Sequence, residues 1–334
     1  MRLAHVTLEG SAASTNSNGS YLLRLAGIGE RASQLLHVDH VTLRDGHGGG
    51  IFVSGAGLFT KDSTDLTVTG MRALEGLRED TNMPLTAPIH FDDAQAASTL
   101  PSGQFTGNAI DHVAVGVFGS GGTQIDEGTH TWRYLGVPYY MISMLFLGGP
   151  SGPTLTIEAG TTLKWTTGEG NSNRGGIDVG YGDDAGPLLV KGTADRKVTM
   201  EGVTEDPGAW EGIEFFPNGA ASRLDHLVVR HTGNGSSTSV DNCANPTVQW
   251  ARFAVGVNFT DEPGKVPDAS MIRNTTIKDA LPDTAGIARG WVADLAACDS
   301  VDFLAGQGNE VVGLATPQSA YAIDPPNAAP MCCE

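Results

Sequence analysis

Apolar and polar positions alternate in a short phrase that recurs along the chain. The phrase reads apolar, any residue, His, apolar, any residue, apolar, and its copies lie at 3–8, 38–43, 110–115 and 224–229. A looser fifth copy at 272–277 has Asn instead of His. Alternation over a few residues predicts short β-strands, and repetition at intervals of tens of residues is typical of a solenoid in which each copy belongs to one coil.

The histidines of this phrase are expected at bends. Side chains alternate with a period of two along a straight strand, so the apolar positions of the phrase cannot all face one side. The four histidines are His5, His40, His112 and His226. Stacked histidines at corners can hydrogen-bond neighbouring coils. This structural interpretation is favoured over a line of metal-binding or catalytic histidines.

A second phrase consists of Gly, a branched apolar residue, any residue and another apolar residue. Its apolar positions face inward and its middle residue faces outward. If the copies stack in register, the middle residues form one outer column, which comprises Phe52, His90, Phe118, Asp178, Glu214, Asn258 and Ala288. The long interval between Phe118 and Asp178 has room for a hidden copy at 139–142.

Two or three short strands per coil, joined by Gly, Asn and Asp turns, predict an all-β parallel β-helix with little helix. We expect it to occupy residues 1–314 as a single domain, followed by an irregular, proline-containing tail at 315–334. The alternative is an antiparallel sandwich, which would show tight two-residue hairpins.

Charge and hydropathy narrow the classes of partner. Against 20 Lys and Arg the chain has 38 Asp and Glu, giving a net charge of −18, which repels nucleic acids and anionic membranes. The longest apolar run, 137–147, is too short to cross a bilayer. We expect neither nucleic-acid binding nor a membrane span.

The four cysteines are too few for a disulfide-based fold. Cys243 and Cys298 form either one disulfide in an oxidising compartment or two unpaired thiols. The adjacent Cys332 and Cys333 receive no role.

The sequence begins inside a copy of the first phrase, at Met1, with no recognisable signal peptide before it. We therefore expect that the native protein has further coils before this point, or that the first coil makes an end-to-end contact.

Residues 154–233 carry a resemblance. They contain the turn Gly192-Thr193-Ala194 and the phrase Trp210-Glu211-Gly212-Ile213. This stretch of about 80 residues resembles the right-handed parallel β-helix repeat proteins that bacteria secrete or display, many of them of uncharacterised function. The resemblance implies a right-handed, pectate-lyase-like fold and an extracellular or cell-surface location. It supplies no catalytic motif, and we expect Trp210 to be a packing residue.

Asp178 and Glu214 are the main candidates for a functional site, because they would be adjacent carboxylates on the outer column. Glu211, Asp183 and Asp184 are near them in sequence. Like charges at strand spacing either raise a pKa or recruit a cation. The patch is a plain solvated face, a calcium- or polyol-binding surface, or a carboxylate pair spaced for a retaining glycosidase.

Each of these alternatives names its own residues. The ligand-binding candidates are Phe52, His90, Phe118, Asp178, Glu214 and Asn258. Calcium ligands would come from Asp178, Asp183, Asp184 and Glu214. Catalytic candidates would be Asp178, Glu214 and Glu211. No phosphate-binding loop or dinucleotide fingerprint is present, so no organic cofactor is expected.

The sequence thus predicts an extracellular or cell-surface scaffold that binds glycans or neighbouring surfaces, with calcium in one version. The alternative is a polysaccharide lyase or glycoside hydrolase on the same fold, because one solenoid can host many functions.

Overall fold

The computed structural model describes most of the chain. The described ranges are 1–10, 21–26, 34–73, 87–117, 122–166, 175–181, 184–234, 240–242, 245–249, 252–259, 264–292 and 301–323. Cys243, Cys298, Cys332 and Cys333 lie outside these ranges, so the disulfide stays a prediction.

Short strands dominate the described residues. The first strands are β1 (Arg2–Glu9), β2 (Tyr21–Ala26), β3 (Gln34–Arg44), β4 (Gly49–Ser54), β5 (Gly57–Phe59), β6 (Thr64–Thr69), β7 (Ile89–Phe91), β8 (Gly103–Gln104), β9 (Val113–Val115), β10 (Thr123–Ile125), β11 (Thr129–Trp132), β12 (Tyr139–Met141), β13 (Leu145–Leu147) and β14 (Thr154–Glu158). They continue as β15 (Thr162–Trp165), β16 (Ile177–Val179), β17 (Leu188–Lys191), β18 (Val198–Gly202), β19 (Ile213–Phe215), β20 (Arg223–Asp225), β21 (Leu227–Arg230), β22 (Val240–Asn242), β23 (Asn245–Gln249), β24 (Arg252–Phe259), β25 (Ile272–Arg273), β26 (Thr276–Lys278), β27 (Thr284–Val292), β28 (Glu310–Val311) and β29 (Thr316–Ile323).

Helix is minor. A one-turn helix, α1 (Ala94–Ala97), begins after Asp93, whose carboxylate accepts a hydrogen bond from the backbone N–H of Gln95. In the described part of the chain, 3₁₀ turns occur at Pro217–Gly219 and Ala269–Met271. Within the described residues, no helix has both the length and the apolar character needed to cross a membrane.

The chain divides into two compact units. The first comprises Met1–Thr123 and Arg133–Ile142, and the second comprises Gln124–Trp132 and Ser143–Glu334. The prediction that residues 1–314 form one domain stays a prediction.

The first unit contains two rows of parallel strands. One row has the order β1, β3, β6, β8, with β5 also paired to β3. The other has the order β2, β4, β7, β9, β12. Neighbours in a row are distant in sequence and point the same way, which excludes the antiparallel sandwich for this unit.

In the regular part of the second unit, each strand pairs with the strand that is third after it in chain order. Strands β11, β14, β17, β20, β25 form one sheet, β15, β18, β21, β26, β28 form a row of a second, and β10, β13, β16, β19, β24, β27, β29 form a third. From β13 to β21 each coil therefore contributes one strand to each of three parallel sheets. This is a parallel β-helix, as the sequence predicts. Within the described part of the chain, antiparallel pairing occurs between β22 and its neighbours β23 and β29, and at an isolated bridge between Gly149 and Ala185.

The core consists of the inward residues of these strands. In β16, Ile177 and Val179 are buried while Asp178 between them is partly exposed, and β19 repeats the pattern. Trp210 is 1% exposed and its ring stacks on Trp165 at a centroid distance of 4.3 Å. Its Nε1 donates to the carbonyl of Arg230. The packing role expected for Trp210 is confirmed.

Four members of the first phrase lie at bends with left-handed backbone. The φ angles are 51° at His5, 52° at His40, 50° at His226 and 50° at Asn274. Few residue types other than Gly adopt this conformation readily, and Asn and His are among those enriched there. The expected bend is confirmed at these positions.

His112 does not belong to this set. It is absent from the described residues with positive φ, and it is buried, with its ring 4.8 Å from that of Tyr140. Its copy of the phrase runs into β9, whose row differs from that of β1 and β3. The prediction that all four histidines share one position is therefore wrong for His112.

The tail also differs from expectation. Thr316–Ile323 forms β29, which pairs in parallel with β27, so the prediction of an irregular chain from residue 315 is wrong for this segment. Proline has no backbone N–H to donate to a neighbouring strand. Pro317 is tolerated near the start of β29, because β22 pairs only with Ala322 and Ile323 further along the strand.

Candidate functional site

Asp178 and Glu214 are register partners on the parallel strands β16 and β19. Neighbouring strands lie about 4.8 Å apart, so two carboxyl groups project side by side from the same sheet face. The predicted adjacency of these residues is confirmed.

Glycine positions the second of these strands. Gly212 directly precedes β19 and has a φ of 123°, and a Cβ there would lie 2.5 Å from the carbonyl oxygen of Ala254. Only glycine allows this close approach. Glu211, immediately before it, donates its backbone N–H to the carbonyl of Gly175 and is thereby fixed beside the pair.

Burial makes the two carboxyl groups weak acids. The pKa of Asp178 is raised to about 8 by burial, and then by the charges of Glu214 and Glu211. The pKa of Glu214 is raised to about 7, mainly by burial and also by Glu211, although a hydrogen bond from Asn258 opposes the shift. At neutral pH the pair therefore holds about one proton or more.

Asn258 is close to the pair but is not the next member of its column. The register partner of Glu214 is Gly256, followed by Ala288, so the predicted place of Asn258 in the column is wrong. The side chain of Asn258 is 3% exposed, and its Nδ2 donates to Oε1 of Glu214 at 2.8 Å. The structure thus joins Asn258 to the pair by a contact that the repeat did not indicate.

On the other side of Asp178 the column continues with Phe146 on β13. A surface pocket of about 140 Å³ opens there, lined by Gln124, Phe146, Leu147, Gly148, Tyr181 and Asp184. Tyr181 is 62% exposed and its ring meets that of Phe216 edge-on, with centroids 4.9 Å apart. Sequence reasoning missed these aromatic residues, although Tyr181 follows β16 by only two positions.

Calcium binding stays a prediction. Asp184 lines the pocket beside Phe146, and Asp183 lies outside the described residues. Among the described residues, Asp178, Asp184 and Glu214 do not form a group whose three ligand atoms lie within 4.8 Å of one another. Calcium requires six to eight oxygen ligands, so these side chains would need further ligands to hold it.

Phe52 and His90 belong to a different sheet from Asp178 and Glu214. Phe52 pairs with His90, His90 with Ala114, and Ala114 with Tyr140. The prediction of one outer column is therefore wrong. Phe118 lies outside the described residues, and its predicted place in the column is taken by Ala114. Tyr140 on β12 is the register partner of Ala114, so the further copy of the second phrase expected at 139–142 is confirmed in this sheet.

His90 is a buried packing residue. Its Nε2 donates to the carbonyl of Gly116 at 2.8 Å and its Nδ1 accepts from the hydroxyl of Tyr21 at 2.9 Å, which defines a neutral tautomer. Burial lowers its pKa to about 4. The ring of Phe52 contacts those of Tyr21 and His90, at centroid distances of 5.2 and 4.9 Å, so the three rings form one cluster. The predicted ligand-binding role of His90 does not fit, because both ring nitrogens are occupied.

Comparison with known proteins gives no match. No model of a known family matches the chain, and neither a curated protein nor a solved structure matches it. The class of protein is defined by the fold alone, as an all-β parallel β-helix.

Proposed function

We propose that this protein is an extracellular or cell-surface β-helix that binds glycans on one face of its second unit. This acid–aromatic face consists of Phe146, Asp178, Tyr181, Glu214 and Asn258. Its location outside the cell rests on the resemblance to secreted, pectate-lyase-like β-helix repeat proteins.

The observation that carries the proposal is the pairing of Asp178 with both Glu214 and Phe146, beside a pocket edged by an exposed tyrosine. Sugars present apolar C–H groups on one side and hydroxyls at their edges. The rings of Phe146 and Tyr181 can pack against the C–H groups, and the carboxyl groups can hydrogen-bond the hydroxyls. A pocket of about 140 Å³ is smaller than those that enclose drug-sized ligands, so it fits one sugar unit of a longer chain.

The raised pKa values favour a neutral glycan. A protonated Asp178 can donate as well as accept a hydrogen bond, as a hydroxyl-rich ligand requires. The net charge of −18 repels polyanionic chains. Neutral polysaccharides are therefore the preferred ligand class.

A second candidate function is retaining glycoside hydrolysis. It is favoured by one observation, the register pairing of Asp178 with Glu214, which places two carboxyl groups on adjacent strands. Asp178 would act as the general acid and Glu214 as the nucleophile, at the close spacing that retaining enzymes use. A polysaccharide lyase would need a basic residue beside the acids, whereas the register neighbours of the pair are Phe146 and Gly256.

A panel of neutral and uronate-containing polysaccharides tests these alternatives. Binding is measured by calorimetry, and products are analysed for new reducing ends and for unsaturated sugars. Tyr181→Ala should weaken binding by about tenfold, which corresponds to about 1.4 kcal/mol. Tyr134→Ala is the matched control, because Tyr134 is also exposed but belongs to the first unit. Equal binding by wild type and Tyr181→Ala would contradict the proposal.

Asp178→Asn separates a binder from an enzyme. In a binder this variant keeps its hydrogen-bonding shape and retains most of its affinity. In a hydrolase it binds the polysaccharide but loses the release of reducing ends, because the amide cannot deliver the proton.

A further inference from the structure

Two corner histidines of the first unit face each other across neighbouring coils. Ala4 pairs with Asp39 and Val6 with Val41, which places His5 opposite His40. Both have left-handed backbone, and their rings stack at a centroid distance of 5.0 Å with an interplanar angle of 24°. Two imidazoles are thereby held on one corner.

A carboxylate completes this group. Oδ1 of Asp39 lies 2.6 Å from Nδ1 of His40. One ligand atom from each of His5, Asp39 and His40 can be chosen so that all three lie within 4.8 Å of one another. Oδ2 of Asp65, which occupies the next corner with a φ of 51°, lies 3.0 Å from Nε2 of His40.

The equivalent corner of the second unit shows that the backbone does not require a histidine pair. There His226 is opposite Asn274, which has the same left-handed conformation. The carboxylate of Asp225 is occupied by Arg273 Nη2 at 2.7 Å and by Asn274 Nδ2 at 2.9 Å. The second histidine of the first unit is therefore not explained by the bend alone.

Two imidazoles and a carboxylate form a ligand set suited to divalent transition metals such as Zn²⁺. Both ring nitrogens of His40 face carboxylates, Nδ1 that of Asp39 and Nε2 that of Asp65, so a metal ion would displace a proton from one of them. Unlike the buried ring of His90, the rings of His5 and His40 are exposed and can move to bonding distance. The carboxylate of Asp65 or a water molecule would supply the fourth ligand of a tetrahedral ion. We infer that His5, Asp39 and His40 form a binding site for a divalent transition metal ion.

The test is a titration of the full chain, without an affinity tag, with zinc chloride in a calorimeter. His5→Asn and His40→Asn remove one ligand each while Asn retains the left-handed backbone. Each should weaken zinc binding at this site by at least about tenfold, since loss of even outer-shell partners costs about 10–100-fold. His226→Asn is the matched control, because it makes the same change at the equivalent corner and should leave the affinity unchanged.

A second measurement requires no variant. Paramagnetic Co²⁺, added to the wild type, should broaden the ring signals of His5 and His40 before those of His226. Unchanged zinc affinity in both His5→Asn and His40→Asn would overturn the inference. Equal broadening of His226 would also overturn it.

Discussion

Trp165 and Trp210 lie in parallel contact within the second unit, with ring centroids 4.3 Å apart and planes inclined by only 7°. Trp165 is fully buried and Trp210 nearly so. Gly175 packs against Trp165, since a Cβ there would lie 2.4 Å from Trp165 Cδ1. The stacked rings therefore support the segment that leads into β16 and carries Asp178.

Trp210→Ala should destabilise the protein by about 3–5 kcal/mol, because it removes a buried ring and leaves a cavity against Trp165. Urea denaturation followed by circular dichroism measures this change. Tyr134→Ala removes an exposed ring, and its effect should stay within about 0.5 kcal/mol. Similar losses in the two variants would contradict the packing role of Trp210.

Glu201→Ala should also be destabilising. Glu201 is 4% exposed and lies between Lys164 and Arg230, its register partners on the two adjacent strands. Its carboxylate contacts Lys164 Nζ at 3.0 Å and also binds the guanidinium of Arg230. Its removal leaves two cations without their partner, but both side chains are 35% exposed and keep contact with water. The change should therefore cost about 1–3 kcal/mol in the free energy of unfolding.

The control for this change is Glu9→Ala. Glu9 pairs with Arg44 at 2.7 Å, but both side chains are about half exposed. Solvent screens such a pair, so this variant should unfold close to the wild-type urea concentration. A wild-type midpoint for Glu201→Ala would show that the buried network contributes nothing.

Asp178 should make the protein less stable as the pH rises. Its pKa is about 8 in the folded state, against 3.8 as its ordinary value, so the folded state binds more protons between about pH 4 and pH 8. Stability then falls as pH increases through this window. Asp178→Asn removes the effect and should be more stable than wild type by about 1–3 kcal/mol at pH 8. Thermal melts from pH 4 to pH 9 provide the measurement, and parallel pH profiles for the two proteins would contradict the raised pKa.

His90 and His112 should act in the opposite direction. Burial lowers the pKa of each to about 4, from an ordinary value of 6.5. The unfolded state therefore binds more protons between about pH 4 and pH 6.5, and stability is lost as the pH falls through that range.

Nuclear magnetic resonance titration tests this prediction directly. The ring signals of His90 and His112 should not shift until the pH is well below 6. His40 is the internal reference, because its hydrogen bond to Asp39 raises its pKa and it should titrate above 6.5. Titration of His90 near 6.5 would show that its ring is not enclosed.

The fold could be predicted from the sequence because its information is local and repeated. Alternation in segments such as Ile177–Val179 determines which side chains face the core, and repetition of the pattern indicates stacking. The corner conformation of His40 and His226 followed from the same reasoning. The pairing of Asp178 with Glu214 could also be predicted, because each of them comes two residues after a glycine, with an isoleucine between.

The remaining site could not be predicted, for two physical reasons. All sheets of the coil bury apolar residues with the same period, so the phrase around His90 does not reveal that its sheet differs from that of Asp178. In addition, Gly212 precedes its strand whereas Gly256 lies within the longer β24, which moved Asn258 out of the expected column. Contacts such as Asn258 with Glu214 depend on this register.

Because every third strand pairs in the regular part of the second unit, one coil of three strands can be removed or added without changing how the other coils pair. Leu155 pairs with Leu188, so the chain before one position can be joined to the chain after the other. Deleting the 33 residues from 155 to 187 removes β15, β16 and all but the first residue of β14, so that β17 follows Thr154 directly. Because Leu155 and Leu188 are register partners, the remaining strands should keep their apolar side chains inward. A deletion of one residue inside a strand would instead reverse the faces of all residues between it and the next turn. Such a protein can change its length by duplication or loss of whole coils, without a new core having to evolve.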